Sequence, residues 1–268
     1  MRIHIASALG LIVLALGCSA KPVPQPMGVL LETLTWVQAE KVLTPETVVV
    51  IPLGGASKEH GPHLPLNTDW LQAEWYKAQI LQQAGVVVVP TITYSYYPAF
   101  LEYPGSVSID ERPARFTIED ICTSLARYGP KRFYVINMGN STVIPLQNAA
   151  NDLAKQGILL WSSRGVKITP GLEWVEHVEG SHANEVETSV MLAIAPQTVN
   201  MSKAVRDFDP NPGGGLTRNP KDTSQPYSPS GIWGDATKAT AEKGRQYIQA
   251  ELASMLHDIE ELRQRPLP

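Results

Sequence analysis

The stretch Lys58-Glu59-His60-Gly61-Pro62-His63-Leu64-Pro65-Leu66-Asn67-Thr68-Asp69 constrains this chain most. It cannot be a regular helix, because Pro62 and Pro65 remove backbone donors and Gly61 frees the turn. The apolar run Val48-Val49-Val50-Ile51-Pro52-Leu53 leads into it and reads as a buried strand, and a helical pattern follows from Trp70 to Ala84. The stretch is therefore a loop that leaves a strand end and feeds a helix, which is where open α/β sheets place their ligand sites. It holds two imidazoles and two carboxylates, a donor set that suits zinc, manganese or iron. Each residue alone has a plainer reading: Asp69 as an N-cap, His60 and His63 as turn residues bonded to carbonyls. Gathered within twelve residues, with prolines fixing their directions, they favour a site.

A chain of 268 residues with 43% hydrophobic content supports one large domain. The net charge of -4, with no Lys/Arg run, argues against nucleic acid as a partner. Only two cysteines are present, Cys18 and Cys122, so no disulfide framework is implied. At the N-terminus, Arg2 precedes an apolar run from Ile5 to Leu16 that is too short to span a membrane. It ends at Leu14-Ala15-Leu16-Gly17-Cys18-Ser19-Ala20, which resembles a bacterial lipoprotein signal. On that reading residues 1–17 are removed, Cys18 is lipidated, 18–29 form a proline-containing tether, and 30–268 form a single domain. Cleavage after Ala20 is the alternative. A buried N-terminal helix is the least favoured reading, and the first two lead to the expectation of a cell-envelope protein on the periplasmic side, lipid-anchored or soluble. Cys122 is left as a lone thiol for core packing.

In order, the pattern predicts a helix from Leu30 to Val42, a strand from Thr47 to Leu53, the His/Asp loop, and the helix from Trp70 to Ala84. A strand from Val86 to Tyr94 follows, then a long aromatic loop, Ser95 to Ile109. That loop carries Tyr97, Phe100 and Tyr103, and either walls a pocket or covers a hydrophobic edge or subunit contact. Helices over 115–128 and 143–156 flank a strand at 131–138, and a strand at 158–161, a helix at 185–195 and a long helix over 236–263 complete the chain. Alternating strands and helices give a mainly parallel sheet with helices on both faces.

Gly180-Ser181-His182-Ala183-Asn184-Glu185-Val186-Glu187-Thr188-Ser189 is a second cluster. His182 precedes a helix and Glu187 lies about one and a half turns on. The two can reach a metal or act as acid and base. The plainer reading is a helix start, with Ser181 or Asn184 as cap and the glutamates favourable in the first turn.

These segments resemble the creatininase (creatinine amidohydrolase) family. Pro52-Leu53-Gly54 and then Glu59 to Leu66 with Thr68-Asp69 look like its signature loop. His182-Ala183 to Glu187-Thr188-Ser189 resembles its second signature, and Tyr103-Pro104-Gly105-Ser106-Val107 its Phe-Pro-Gly-Thr segment. Ser230-Gly231-Ile232-Trp233-Gly234-Asp235-Ala236, continuing through Ala241-Glu242-Lys243-Gly244, resembles its closing segment and helix. The resemblance implies a three-layer α/β/α fold, one or two divalent ions, hydrolysis of cyclic amides or related C–N bonds, and homo-oligomers, often hexamers. It implies His60 and Asp69 as metal ligands, His182 as proton shuttle and Glu187 as a nearby acidic residue. Two positions depart from the family pattern. Lys58 stands where a glutamate is usual, with Glu59 beside it, so either Glu59 serves through a bulge or the Lys58 ammonium occupies the place of one metal. The turn Asn137-Met138-Gly139-Asn140-Ser141-Thr142 lacks the family's histidine, which favours one ion over two.

The leading expectation is an envelope-located, metal-dependent amidohydrolase acting on a small molecule. Glu59, His60 and Asp69 would hold zinc or manganese with help from Glu187, and His182 would move the proton. Tyr97, Phe100 and Tyr103 would enclose the substrate. The chain has no Gly-x-Ser-x-Gly, which disfavours an acyl-enzyme. The competing expectations are a lipid-anchored small-molecule binding protein with a degraded metal site, and a structural envelope protein.

Overall fold

The computed structural model describes residues 26–164, 175–176, 179–211 and 213–268. The expected signal segment, Cys18 and most of the tether lie outside the described residues. Among the described residues no helix is long and apolar enough to cross a membrane.

Five strands form one parallel sheet in the order β1-β3-β2-β4-β5: β1 (Val29–Leu30), β2 (Val48–Leu53), β3 (Val87–Val88), β4 (Arg132–Asn137) and β5 (Leu159–Ser162). The central β2 and β4 pair over their full lengths, from Val48 opposite Arg132 to Leu53 opposite Asn137. Both are β-rich and buried on two faces, so they read as continuous apolar runs. Side chains alternate across them. Val49, Ile51, Leu53, Phe133 and Val135 point to one face, under α1 (Trp36–Val42), α3 (Glu111–Ala126) and α4 (Val143–Ala154). Val48, Val50, Tyr134 and Ile136 point to the other, under α2 (Thr68–Gln83), α5 (Glu185–Ile194) and α6 (Ala241–Gln264). A small antiparallel ribbon, β6 (Arg206–Asp207) with β7 (Gly234–Asp235), lies apart from this sheet. The chain is thus three-layered, α/β/α.

Two expected elements differ. Leu30 to Val42 is not one helix: Leu30 ends β1, which pairs along β3, and Leu31–Thr33 form a 3-10 turn. Thr35 then starts α1 with a capping box, its hydroxyl accepting from the Gln38 N–H while the Gln38 side chain accepts from the Thr35 N–H. The spacing of Leu31 and Leu34 mimics a helix across that break. The strand expected over 86–94 is regular only at Val87–Val88, because Pro90 cannot donate to the ladder.

From β2 the chain passes through α2 to β3 on one side; from β4 it passes through α4 to β5 on the other. The carboxyl ends of β2 and β4 therefore flank the point where strand order reverses, and the crevice opens there.

Candidate metal centre and active site

The loop after β2 doubles back onto the strand that precedes it. The Lys58 N–H donates to the Leu66 carbonyl at 3.0 Å, and the Trp70 N–H to the Gly55 carbonyl at 3.2 Å. Gly54 makes this closure possible: a Cβ there would stand 2.4 Å from the Asp69 carbonyl oxygen. The start of α2 is so pressed against the end of β2 that Lys58, His60 and Asp69 meet.

Their contacts are short and dry. The Lys58 Nζ lies 2.7 Å from Asp69 Oδ2, and His60 Nε2 lies 2.8 Å from Asp69 Oδ1. Lys58 is 4% exposed, and His60 and Asp69 are fully buried. His60 Nδ1 is 2.9 Å from the Lys58 carbonyl, which can only accept, so Nδ1 carries a hydrogen. His60 Nε2 then faces two carboxylates, Asp69 and, at 3.5 Å, Glu187 Oε1. A bare lone pair cannot face two carboxylates: either Nε2 is protonated or a cation lies among them. Burial opposes the charged ring most, but Asp69 and Glu187 together outweigh it and hold His60 up at about 9. Burial likewise acts against Lys58 and Asp69 as ions. Asp69 and then Glu187 nevertheless hold the ammonium above its ordinary range, while Lys58 and then His60 hold the Asp69 carboxyl below its own.

The second segment enters from α5. Asn184 is the N-cap, its side chain accepting from the Val186 and Glu187 N–H groups. Ala183 before it has a left-handed φ of 48°, and its N–H donates to Glu187 Oε2 at 2.6 Å. His182 pairs through its backbone with Trp233, which brings the closing segment to the site. The His182 Nε2 lies 2.7 Å from Glu59 Oε1, and Glu59 Oε2 accepts from the Gly61 N–H at 2.8 Å. Gly231, at φ 84°, folds over Glu59; a Cβ there would stand 2.2 Å from its Oε2. His182 Nδ1 is then turned toward Glu187 Oε2 at 3.8 Å. Burial would raise the Glu187 carboxyl, but His60, then His182 and Lys58 hold it below the ordinary carboxylate range.

Ligand atoms of His60, His182 and Glu187 all lie within 4.8 Å of one another. Two nitrogens and a carboxylate oxygen are the donor set of a borderline divalent ion such as zinc. The His60 ring is fixed from behind by a backbone carbonyl and the His182 ring by Glu59, as ligating imidazoles usually are. One ion fits these residues. Asp69 faces the Lys58 ammonium with one oxygen and the His60 imidazole with the other.

A family model described as creatinine amidohydrolase matches residues 32–259. The chain belongs to the creatininase family. It is 27% identical over 249 residues to the creatinine amidohydrolase of Pseudomonas putida, covering 85% of this chain and 95% of that protein. It is 25% identical over 275 residues to the 3-dehydro-scyllo-inosose hydrolase of Thermotoga maritima, covering 88% and 85%. A solved creatininase variant superposes with a TM-score of 0.71 at 24% identity, covering 87% of this chain and 98% of that chain. Solved creatininases of similar likeness include a zinc–zinc type and a manganese form.

Against this creatininase-family background each expected site residue can be located. His60 and Asp69 touch each other, and His60 joins His182 and Glu187. Glu59 faces His182 and the Gly61 N–H, with no bond to His60 or Asp69. Tyr97 and Phe100 line the cavity over the site, and the Phe100 ring lies 4.3 Å from that of His182. Tyr103 is buried behind them, its hydroxyl donating to the Ser228 carbonyl at 2.7 Å. The Asn137–Thr142 turn closes on itself: Asn137 Nδ2 donates to the Gly139 carbonyl at 2.9 Å, and the Thr142 hydroxyl donates to that carbonyl at 2.6 Å. Cys122 is a buried thiol raised above its ordinary range by burial, under the far face.

Two features escape the sequence reading. His63 is held by Thr188, 2.8 Å from Nε2 to the hydroxyl, so it ties the two signature segments together. Glu251 lines the same cavity from α6. Its signal is visible in retrospect: it stands on the inward stripe Ile248, Glu251, Met255, Ile259, where an apolar residue belongs.

Proposed function

We propose that this chain is a metal-dependent amidohydrolase that cleaves a cyclic amide or related C–N bond of a small molecule. The convergence of His60, His182 and Glu187 at the crevice carries this reading. One divalent ion, zinc or manganese, would supply Lewis-acid activation of a carbonyl and of a water. The chain's own residues then divide the remaining work. His182, turned by Glu59 so that its other nitrogen faces Glu187, would hold the ion through that nitrogen while the first stays bonded to Glu59. Glu187 keeps its charge at neutral pH and would offer the ion its carboxylate oxygen. Tyr97 and Phe100 exclude water from above, and Tyr103 buttresses them. Anchoring through Cys18 to the periplasmic side of the envelope, and assembly into a homo-oligomer, complete the proposal.

The deciding experiment purifies the protein without chelator, counts metal per chain, and assays lactams, formamides and creatinine with and without added zinc or manganese. One ion per chain and metal-dependent turnover of a member of that panel are expected. No bound ion, and no rise in melting temperature with either metal, sinks the hydrolase reading. The Lys58–Asp69 pair then favours a binding protein that supplies its own cation.

A further inference from the structure

The cavity over the site has a volume of about 580 Å3, the size of a small-molecule pocket. Its lining runs from Lys58, His182 and Glu187 to Gln72, Tyr247 and Glu251. Helix α2 connects the two ends. Asp69, on its first turn, holds Lys58, and Tyr76 holds Glu251 by donating its hydroxyl to Oε2. Gln72 lies between them on the same face and also lines the cavity. Asp69 and Tyr76 are two helical turns apart, about 10 Å at 1.5 Å per residue.

Neither charged end is used up by the protein. An ammonium has three donors, and among the described residues Asp69 is the only group that Lys58 Nζ pairs with. The aromatic rings of Tyr97 and Phe100 stand 5.5 and 5.0 Å from it, a wall rather than further acceptors. Glu251 is 5% exposed, and among the described residues Tyr76 is its only hydrogen-bond partner, with no cation beside it. A lone carboxyl in the middle of an apolar helix stripe costs free energy, and the cost is recovered when a ligand brings a donor.

We infer that the cavity is a two-ended site for an ω-amino acid, with Lys58 taking the carboxylate and Glu251 the ammonium. This rests on the proposed hydrolysis only for its meaning: water opening a cyclic amide leaves one carboxylate and one ammonium on the same chain. Ends held by residues two helical turns apart favour an amino acid whose carboxylate and ammonium are separated by a methylene chain over one that carries both on a single carbon. Such chains are what the opening of a lactam releases.

The test measures binding of glycine, β-alanine, 4-aminobutanoate, 5-aminopentanoate, 6-aminohexanoate and 8-aminooctanoate to the full chain by calorimetry, with and without zinc. Hexanoate and hexylamine serve as one-ended controls. Affinity should depend on length, with glycine the weakest, and the best ω-amino acid should bind about tenfold or more above either control. Glu251→Gln should remove most of that advantage and leave hexanoate binding unchanged. Affinity that ignores length, or controls that bind as well as the amino acids, overturns the inference, and the wild-type series alone decides it if the variant does not fold. Length-selective binding without any metal-dependent turnover keeps this inference and sinks the hydrolase reading; turnover without length selectivity does the reverse.

Discussion

On one face of the sheet, α1, α3 and α4 bury no polar side chain; α3 buries Ala114, Ile118, Cys122 and Ala126, and α4 buries Pro145, Leu146, Ala149 and Leu153. On the other face, α2 buries Thr68, Asp69 and Gln72, α5 buries Glu185, Thr188 and Ser189, and α6 buries Glu251. The two faces share one sheet and equally apolar strands. They differ in which strand ends feed them. The loop after β2 carries the charges and leads into α2, whereas the turn after β4 carries amides and hydroxyls and leads into α4. One face is spent on cohesion. The other gives up part of its apolar packing to hold groups that face the crevice.

The comparison breaks first at its most costly points. Lys58→Glu places a carboxylate against Asp69, Glu187 and Glu59 in a dry pocket. Removing one partner from a buried ion pair costs about 3–5 kcal/mol, and the added repulsion pushes it to the upper end or beyond. Leu153→Ala on the quiet face costs a similar amount, about 2–5 kcal/mol, through the cavity it leaves. The faces separate on rescue: saturating zinc should recover much of the melting temperature of the lysine variant and add to the leucine variant no more than it adds to wild type. Equal recovery of both variants beyond the wild-type increment would erase the distinction.

The next effect concerns Glu251. Burial, partly offset by the Tyr76 hydroxyl, holds its carboxyl up at about 7 against an ordinary 4.5. Among the described residues the groups around it are tyrosines, Tyr76 and Tyr247, with Tyr134 within its field, and no cation is among them. The folded state therefore favours the protonated acid. That contribution is fully present below about 4.5 and is lost as pH rises through about 7, on the order of 3 kcal/mol. Glu251→Gln removes the titration. The stability of wild type relative to this variant should fall between pH 5 and pH 8, measured by chemical denaturation at each pH. A difference that stays flat would mean the carboxyl is solvated and the face drier in appearance than in fact.

How much of this the chain announces follows the same division. The quiet face is legible: valines and isoleucines at strand spacing, and Ile118, Cys122 and Leu125 at helix spacing, specify the layers without further information. The signature residues His60, Asp69, His182 and Glu187 are legible as well, because their types are rare in such company. Their pairing is not. Whether Glu59 faces a metal or His182 depends on the turn at Gly61 and on Gly231, residues 170 positions apart that meet only in the fold. Lys58 is ambiguous for the same reason, until the close approach of Gly54 to Asp69 brings the ammonium onto the carboxylate. Glu251 shows how periodicity misleads: a charged residue on an apolar stripe looks like noise unless another helix supplies its partner.

Glu59→Gln probes the orienting bond itself. An amide oxygen still accepts from His182 Nε2, so the ring keeps its place and the melting temperature should move little. What is lost is the negative charge that faces the His182 ring. Groups that orient a functional imidazole are worth about 10- to 100-fold in metal affinity or activity. Such a loss in turnover or zinc affinity, with stability retained, assigns Glu59 to His182. Loss of the ion altogether would return Glu59 to the metal.

The smallest effect should come from the turn that feeds the quiet face. Thr142 is fully buried, and its hydroxyl donates to Asn137 Oδ1 and to the Gly139 carbonyl. Thr142→Ala deletes these bonds and leaves acceptors that retain other partners: Asn137 Oδ1 still receives the Gly139 N–H, and the Gly139 carbonyl still receives Asn137 Nδ2. The cost should be about 1 kcal/mol, the net worth of an ordinary hydrogen bond. Metal content and turnover should stay at wild-type values, because no atom of Thr142 reaches His60, His182 or Glu187 in the bonds that define the centre. Asn137, Gly139, Asn140 and Ser141 do line the cavity, so the turn shapes the space above the ion without holding it. If the variant instead loses its ion, the turn positions a ligand after all, and the division between a working face and a quiet one runs through α4 rather than through the sheet.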